Sequence, residues 1–404
     1  MLPRVRVRRS LSFELDRIAR VLRGFSFDRH SRGREWWVAV VPWILAVPYH
    51  QGMRCLTLLM IVPAMAFAAA QPPPISPSEA KRKTFDIRAA QEAASIAATE
   101  WQASYNCVTC HTNGLFLVAG ATSSVMEKPY QQTRAFATTY LDRYLKESRD
   151  TQGQHGAIEG IVATSAFLAI GEARGQGDVS PEAMSALRHA LSLMSDQGHF
   201  ASWLTCDWPP FEVDHHFGSS LLLVALGGTT EMFRKESVVV DGMTRLRTWL
   251  KNHPPINAHQ AGMCLWADAT GGIALTSAQR KEYITRYRTL QREDGGWSVF
   301  GIGEWARPDG TPQVDQSEAY ATAFMVFVLR QAGVPSQDEV IQQGLAWLRA
   351  NQRESGRWFN RSPHRDRRHF LSNAATNFSL LAFEVCEEET ASDPFHKKGL
   401  ESEQ

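Results

Sequence analysis

The feature that most constrains the fold of this chain is a repeated segment that follows two amphipathic helical patterns. The segments Gln291–Trp297 and Gln352–Trp358 share the pattern Gln-x-x-x-Gly-x-Trp. A weaker third copy runs from Ser195 to Phe200, with Met194 in place of the glutamine and Phe200 in place of the tryptophan. Repetition of one helical unit predicts a chain built from stacked units that bury a shared core.

Each residue of the repeat has a structural interpretation. The glutamine amide can satisfy free backbone groups at a helix end. The glycine supplies a turn with positive φ, and the indole can pack back over the helices that it follows. We therefore predict that the repeat residues are structural.

From Ala89 onward the chain shows amphipathic helical periodicity, turns rich in Gly and Pro, and almost no alternating strand pattern. Ser180-Pro181-Glu182 and Ser336-Gln337-Asp338 carry helix-start signals. The predicted helices cover 86–104, 131–147, 156–173, 181–195, 215–227, 236–251, 257–273, 277–291, 317–332, 336–351 and 370–386. The predicted fold class is all-α.

Over residues 150–390 the chain resembles the squalene-hopene cyclase and prenyltransferase superfamily, whose α/α-toroids carry such repeats at the ends of outer helices. The segments Val314–Ala323 and Ser372–Asn377 resemble the starts of that family's inner helices. The resemblance implies a single α/α-toroid over 151–390, preceded by an N-terminal helical segment over 71–150. Residues 391–404 are expected to form a disordered tail.

The most specific chemical motif is Cys107-Val108-Thr109-Cys110-His111. Cys-x-x-Cys-His is the spacing at which two thiols bond a haem's vinyl groups while the histidine ligates the iron. The motif predicts a covalent haem c on Cys107 and Cys110, with His111 as the metal ligand. A disulfide and a zinc site are the alternatives. Met126 and His155 are candidates for the second axial ligand, which remains unassigned.

A signal peptide is expected over residues 53–70, where a short basic start precedes an apolar run and small residues. Cleavage near Ala70 predicts an exported, periplasmic protein whose membrane association is peripheral at most. Residues 1–52 are then expected to be a misassigned or disordered leader. A Cys206–Cys264 bridge is possible in an oxidising compartment.

Composition excludes some partners. The chain is 44% hydrophobic and 21% charged, with a formal net charge of +1. This balance predicts no nucleic-acid partner and no strongly acidic substrate, so affinity has to come from a shaped site.

A second candidate site is Glu212-Val213-Asp214-His215-His216. It resembles a degenerate form of the cyclases' Asp-x-Asp-Asp motif, whose central acid protonates a carbon–carbon double bond. Glu212 and Asp214 match the first two acids, and His215 replaces the third. The simpler interpretation is a helix N-cap at Asp214, beside histidines that pack or face solvent.

These features support three functional hypotheses and leave open whether the chain is an enzyme. The first is an exported c-type haem protein with a redox partner, whose toroid recognises a hydrophobic, lipid-like or isoprenoid ligand. The alternative is a class II terpene-cyclase-like enzyme that protonates an alkene through Asp214. The third is a non-catalytic toroid scaffold, which predicts a broad, polar concave end.

Overall fold

The computed structural model describes residues 74–146, 157–200, 203, 209–211, 214–305, 307–366 and 368–387. The expected leader and signal peptide over 1–70, the C-terminal tail, Glu212, Cys206 and His155 lie outside these residues.

The described chain is helical, and its elements match the sequence pattern closely. The helices are α1 (Ile87–Tyr105), α2 (Leu115–Ala119), α3 (Glu127–Lys146), α4 (Ala157–Gln176), α5 (Pro181–Ser192), α6 (His215–Gly227), α7 (Glu231–Arg234), α8 (Ser237–Asn252), α9 (Ala258–Ala269), α10 (Ser277–Leu290), α11 (Val299–Ile302), α12 (Ala319–Gln331), α13 (Glu339–Asn351) and α14 (Leu371–Glu387). A π-helical turn, Cys110–Gly114, leads directly into α2. The predicted all-α class is confirmed.

Local capping chemistry sets where the helices begin. Ser180 accepts a hydrogen bond from the Ala183 N–H, and Pro181 occupies the first turn of α5, as predicted. At α13 the predicted start at residue 336 is three residues early. Asp338, rather than Ser336, caps this helix by accepting from the Val340 N–H at 3.1 Å.

The helices form two concentric layers. The inner layer contains the π turn with α2, followed by α4, α6, α9, α12 and α14, and each of these packs against the next. The layer closes because α14 also packs against the π turn and α2. Around it, α1, α3, α5, α8, α10 and α13 alternate with the inner elements along the chain. This closed α/α-toroid confirms the predicted architecture.

The N-terminal helices belong to this ring. The expected domain division places residues 71–150 in an N-terminal helical segment before the toroid. In the structure, α1 packs against α14, and α2 packs against both α4 and α14. The chain from Ala68 onward forms one compact unit. In the inner layer, α2 and the π turn fill the position between α14 and α4.

The glutamines of the repeat connect neighbouring outer helices. Gln291 Nε2 donates to Gly295 O at 3.0 Å and to Val340 O, in the first turn of α13, at 2.9 Å. Gln352 Nε2 donates in the same way to Gly356 O at 2.9 Å and to Asp86 O, at the cap of α1, at 2.8 Å. The Gln352–Asp86 bond joins the end of the last outer helix, α13, to the start of the first, α1, and so closes the outer layer.

The glycine and tryptophan of each repeat also behave as predicted. Gly295 and Gly356 have φ of 85° and 86°, which favours glycine over any residue with a side chain. The Trp297 indole N–H donates to Tyr287 O at 2.9 Å, and that of Trp358 donates to Leu348 O at 2.8 Å. Both indoles are fully buried and pack back over the helix that precedes them.

Because inner and outer helices alternate, the inner helices run parallel, and their N-termini meet at one end of the toroid. Contacts across this end include Asn373 with Thr112 and Asn360 with Tyr320. Among the described helices, none has the length and apolar character that crossing a membrane requires.

Candidate functional site at the N-terminal end of the inner ring

The Cys-x-x-Cys-His motif forms the entrance to an inner helix. Asn113 closes the motif on itself: its Oδ1 accepts from the Thr109 N–H at 2.9 Å, and its Nδ2 donates to Cys107 O at 3.0 Å. A Cβ atom at Gly114 would lie 2.8 Å from Thr109 O, so the close return of the chain requires glycine there. Thr112-Asn113-Gly114 therefore holds the two cysteines and His111 on one tight turn.

His111 lies inside the toroid, with 3% of its surface exposed. Its ring stacks on Phe370 with centroids 5.4 Å apart and meets the edge of Trp101 at 4.9 Å. Nδ1 lies 2.8 Å from Thr112 Oγ1, which also accepts a hydrogen bond from Asn373 Nδ2. Burial lowers the pKa of His111 to about 3, so the imidazole is neutral at physiological pH.

A narrow crevice adjoins His111 at this end of the toroid. It is lined by His111, Pro209, Phe211, Ser362, Pro363 and Leu371. Phe211 is buried and packs edge-on against Phe217 and Tyr320. Apolar side chains therefore form most of the lining of this crevice.

The donor set at the motif fits a c-type haem. Two thiols at this spacing precede a neutral imidazole whose Nδ1 is engaged by a neighbouring group, which is how metal-binding histidines are usually oriented. If bound, the haem would be held by Cys107, Cys110 and His111, next to the crevice that Pro209 and Phe211 help to line.

Met126 and the metal-ligating residue types of the described chain bear on how the motif could bind a metal. Met126 is a buried core residue just before α3. Within the described residues, no group of three or more His, Cys, Asp or Glu side chains could hold a metal ion. A zinc site assembled from protein side chains alone therefore finds no support in this part of the chain.

Asp214 is the N-cap of the inner helix α6, as the simpler interpretation predicts. Its Oδ1 accepts from the Phe217 N–H at 2.6 Å. Burial raises the pKa of Asp214, while hydrogen bonds from the Phe217 N–H and the Gln260 side chain act in the opposite direction. The carboxyl thus combines a structural role with an environment that favours its protonated form.

The two histidines after Asp214 diverge, as their helical spacing predicts. His215 Nδ1 lies 2.6 Å from Phe200 O, and the His215 ring meets that of His199 at 5.0 Å. His216 is buried on the other side, with Nε2 4.0 Å from the sulfur of Cys264. Burial raises the pKa of the Cys264 thiol to about 12, so this cysteine is not an activated nucleophile.

Two polar residues that the sequence did not single out meet near the axis. His259 Nε2 and the Tyr320 hydroxyl are 2.8 Å apart, and both side chains are buried. Burial lowers the pKa of His259 to about 3 and raises that of Tyr320 well above its usual range. The pair is therefore neutral, and it lies beside Phe211, which contacts both rings. His259 lies near the start of the predicted helix over 257–273, and Tyr320 lies in the segment that resembles an inner-helix start; the sequence carries no further signal for the pair.

Glu318 is a further carboxyl that sequence reasoning missed. It immediately precedes α12, and its Oε2 accepts from the Val299 N–H at 3.2 Å. Burial raises the pKa of Glu318 to about 7, although the Arg361 and Arg307 guanidinium groups act in the opposite direction. An acid before an apolar helix start is the pattern that marked Asp214, and it could have marked Glu318 as well.

Comparison with known proteins gives a distant structural likeness. No protein-family model matches the chain, and no curated protein matches it. Two solved structures of type II terpene cyclase MstE variants from Scytonema, each in complex with geranylgeranyl dihydroxybenzoate, align at a TM-score of 0.45. Their identities are 12% and 13%, and each alignment covers 74% of this chain and 99% or 97% of the cyclase. The toroid assignment stands on the helix packing described above, and no activity follows from this likeness.

Proposed function

We propose that this chain is an exported c-type haem protein in which Cys107 and Cys110 attach the haem and His111 ligates its iron. The observation that carries the proposal is the placement of His111, a buried neutral imidazole that borders the crevice at the N-terminal end of the inner ring. Thr112 and Asn373 orient its ring from behind. The Trp101 and Phe370 rings hold it from the sides.

A haem at this position would supply one-electron chemistry, and the proposed role is redox or electron transfer with a separate redox partner. The exported, periplasmic location and peripheral membrane association belong to the same proposal. They rest on the signal-peptide pattern that ends near Ala70. Haem attachment at such a motif and export are mutually consistent.

The toroid is proposed to receive a hydrophobic small molecule or lipid. The crevice at its N-terminal end is narrow and is lined mainly by apolar side chains, among them Phe211 and Leu371. A scaffold for macromolecules would be expected to present a broad and polar end instead. The lining therefore favours a small apolar ligand, for which isoprenoids are one class.

The experiment is a pyridine-haemochrome spectrum with intact-mass measurement, on protein exported from cells that carry haem-attachment machinery. The wild type is expected to carry one covalent haem, and a Cys107→Ala, Cys110→Ala double variant is expected to carry none. Cys264→Ala is the matched control, because this thiol is buried outside the motif, and it should retain the haem. Wild-type protein without a covalent haem would refute the proposal.

Acid catalysis through Asp214 is the second candidate, favoured by the buried, protonation-prone carboxyl at the same end of the toroid. Asp214→Asn is the informative variant, because an amide oxygen can still accept from the Phe217 N–H but cannot deliver a proton. With squalene as the probe, this candidate requires turnover by the wild type and its loss in the variant. Equal turnover by both proteins would rule it out.

A further inference from the structure

A second crevice lies next to the one at His111 and shares Ser362 and Pro363 with it. Its polar lining includes two arginines, Arg307 and Arg361, together with Glu318. Two guanidinium groups in one partly enclosed space form an arrangement that binds carboxylates and other oxyanions.

Arg307 is the residue that points to a ligand. Only 4% of its side chain is exposed. Its Nε donates to Thr311 Oγ1 at 2.9 Å, and its Nη1 donates to Ser362 O. Nη2 is buried and has no hydrogen-bond partner in the described part of the chain, and the nearest carboxylate oxygen, on Asp309, is 3.7 Å away. The contact with Asp309 is an ion pair, but it is too long for a hydrogen bond, so an acceptor that a ligand placed within hydrogen-bond distance of Nη2 would be stabilising there.

The surrounding charges favour a monoanion over a dianion. Arg361 is already paired with Asp366, with Nε and Oδ1 2.9 Å apart, and Arg307 forms a longer ion pair with Asp309 at 3.7 Å. One guanidinium nitrogen is therefore left to satisfy. The N-terminus of α12 adds a positive dipole end next to the crevice. Because burial raises the pKa of Glu318 to about 7, its carboxyl repels an anion less than an ordinary glutamate would at neutral pH.

The mouth of the crevice is apolar. Phe300 and Val314 line it, and each keeps 40% of its surface exposed, which is unusual for large apolar side chains in this protein. We propose that this crevice binds an amphipathic organic acid, with the carboxylate on Arg307 and the apolar chain along Phe300 and Val314. The inference deepens the proposal that this end of the toroid receives a hydrophobic ligand, and it does not depend on the haem.

The test is calorimetric titration of the full chain with decanoate, and with decanol as the uncharged match. Decanoate is expected to bind at least tenfold more tightly than decanol. Arg307→Gln should weaken decanoate at least tenfold and leave decanol unchanged. Arg286→Gln, which removes an exposed arginine on α10 outside the crevice, should bind both probes like the wild type.

Because Arg307 also holds backbone and side-chain partners, a second pair of variants tests the mouth without disturbing the interior. Val314→Glu should weaken decanoate at least tenfold through charge repulsion, and Val314→Gln should weaken it less. Equal binding of decanoate and decanol would overturn the carboxylate site while supporting an apolar ligand. No binding of either probe, or full decanoate affinity in Arg307→Gln and Val314→Glu, would overturn the inference.

Discussion

Replacing Gln352 with alanine should open the toroid at the point where its two ends meet. The Gln352 side chain is fully buried between α13 and the start of α1. Its Nε2 donates to Asp86 O and Gly356 O, and its Oε1 accepts from the Asp86 N–H at 2.8 Å. Asp86 in turn caps α1 by accepting from the Arg88 and Ala89 N–H groups. The change therefore removes the side-chain link between α13 and the cap of α1.

The size of the effect follows from these three hydrogen bonds. At about 1 kcal/mol of net stability for each bond, Gln352→Ala should lower the free energy of unfolding by about 3 kcal/mol. The equivalent Gln291→Ala loses two bonds, to Gly295 O and Val340 O. Its expected cost is about 2 kcal/mol by the same reasoning. Gln343→Ala is the control, because among the described residues this exposed side chain on α13 hydrogen-bonds only to Glu339, within its own helix.

The assay is urea unfolding followed by circular dichroism, with hydrogen exchange to locate the opening. Gln352→Ala should accelerate amide exchange in α1 more than in α8, which lies elsewhere on the ring. Gln343→Ala should stay within about 0.5 kcal/mol of the wild type. A Gln352→Ala protein as stable as the Gln343→Ala control, or one whose α1 exchanges no faster than in the wild type, would refute this account of ring closure.

Three further predictions concern glycine, pH and capping. Gly356 and Gly333 both have φ near 85°. A Cβ at Gly356 would lie 2.2 Å from Ala89 O, whereas a Cβ at Gly333 would have no atom of the described residues within 4 Å. Thermal unfolding should therefore show a loss of roughly 1 kcal/mol for Gly333→Ala and a clearly larger one for Gly356→Ala; equal losses would contradict the close approach. Burial raises the pKa of Glu318 from 4.5 to about 7, so between these pH values the folded protein binds the proton more tightly than the unfolded chain. The free energy of unfolding should therefore fall by up to about 3 kcal/mol as the pH rises from 4.5 to 7. In urea unfolding at several pH values, Glu318→Gln should remove this dependence. A slope that persists in that variant would assign the titration to another group. Asp214→Ala should lower stability by about 1 kcal/mol through loss of the N-cap, while Asp214→Asn should be nearly neutral; similar losses by calorimetry would exclude capping as its structural role.

Most of the helices could be predicted from local sequence patterns. The predicted helix over 215–227 coincides with α6, and the repeat glutamines, glycines and tryptophans take the roles that their chemistry suggests. These predictions succeed because periodicity, caps and turn glycines act over a few residues. The inner element formed by the π turn and α2 was not predicted as a helix, since ten residues are too few to show a period.

The candidate site was only partly accessible from sequence. The Cys-x-x-Cys-His spacing predicts a haem attachment motif, but nothing in it indicates that His111 lies inside the ring. Similarly, Asp214 could be named from its motif and Glu318 from its place before an apolar helix, whereas Arg307 belongs to no recognised pattern. Their chemistry depends on burial and on neighbours that are distant in sequence.

Local sequence was sufficient to predict an all-helical chain with a repeated unit, because helices, caps and turns depend on residues that are close in sequence. The contacts between residues that are distant in sequence depend on closure of the ring. It brings α1 against α13, His259 against Tyr320, and Arg307 against Ser362. Contacts of this kind depend on how all the helices pack together, since burial and pairing arise only when the ring excludes water from its interior.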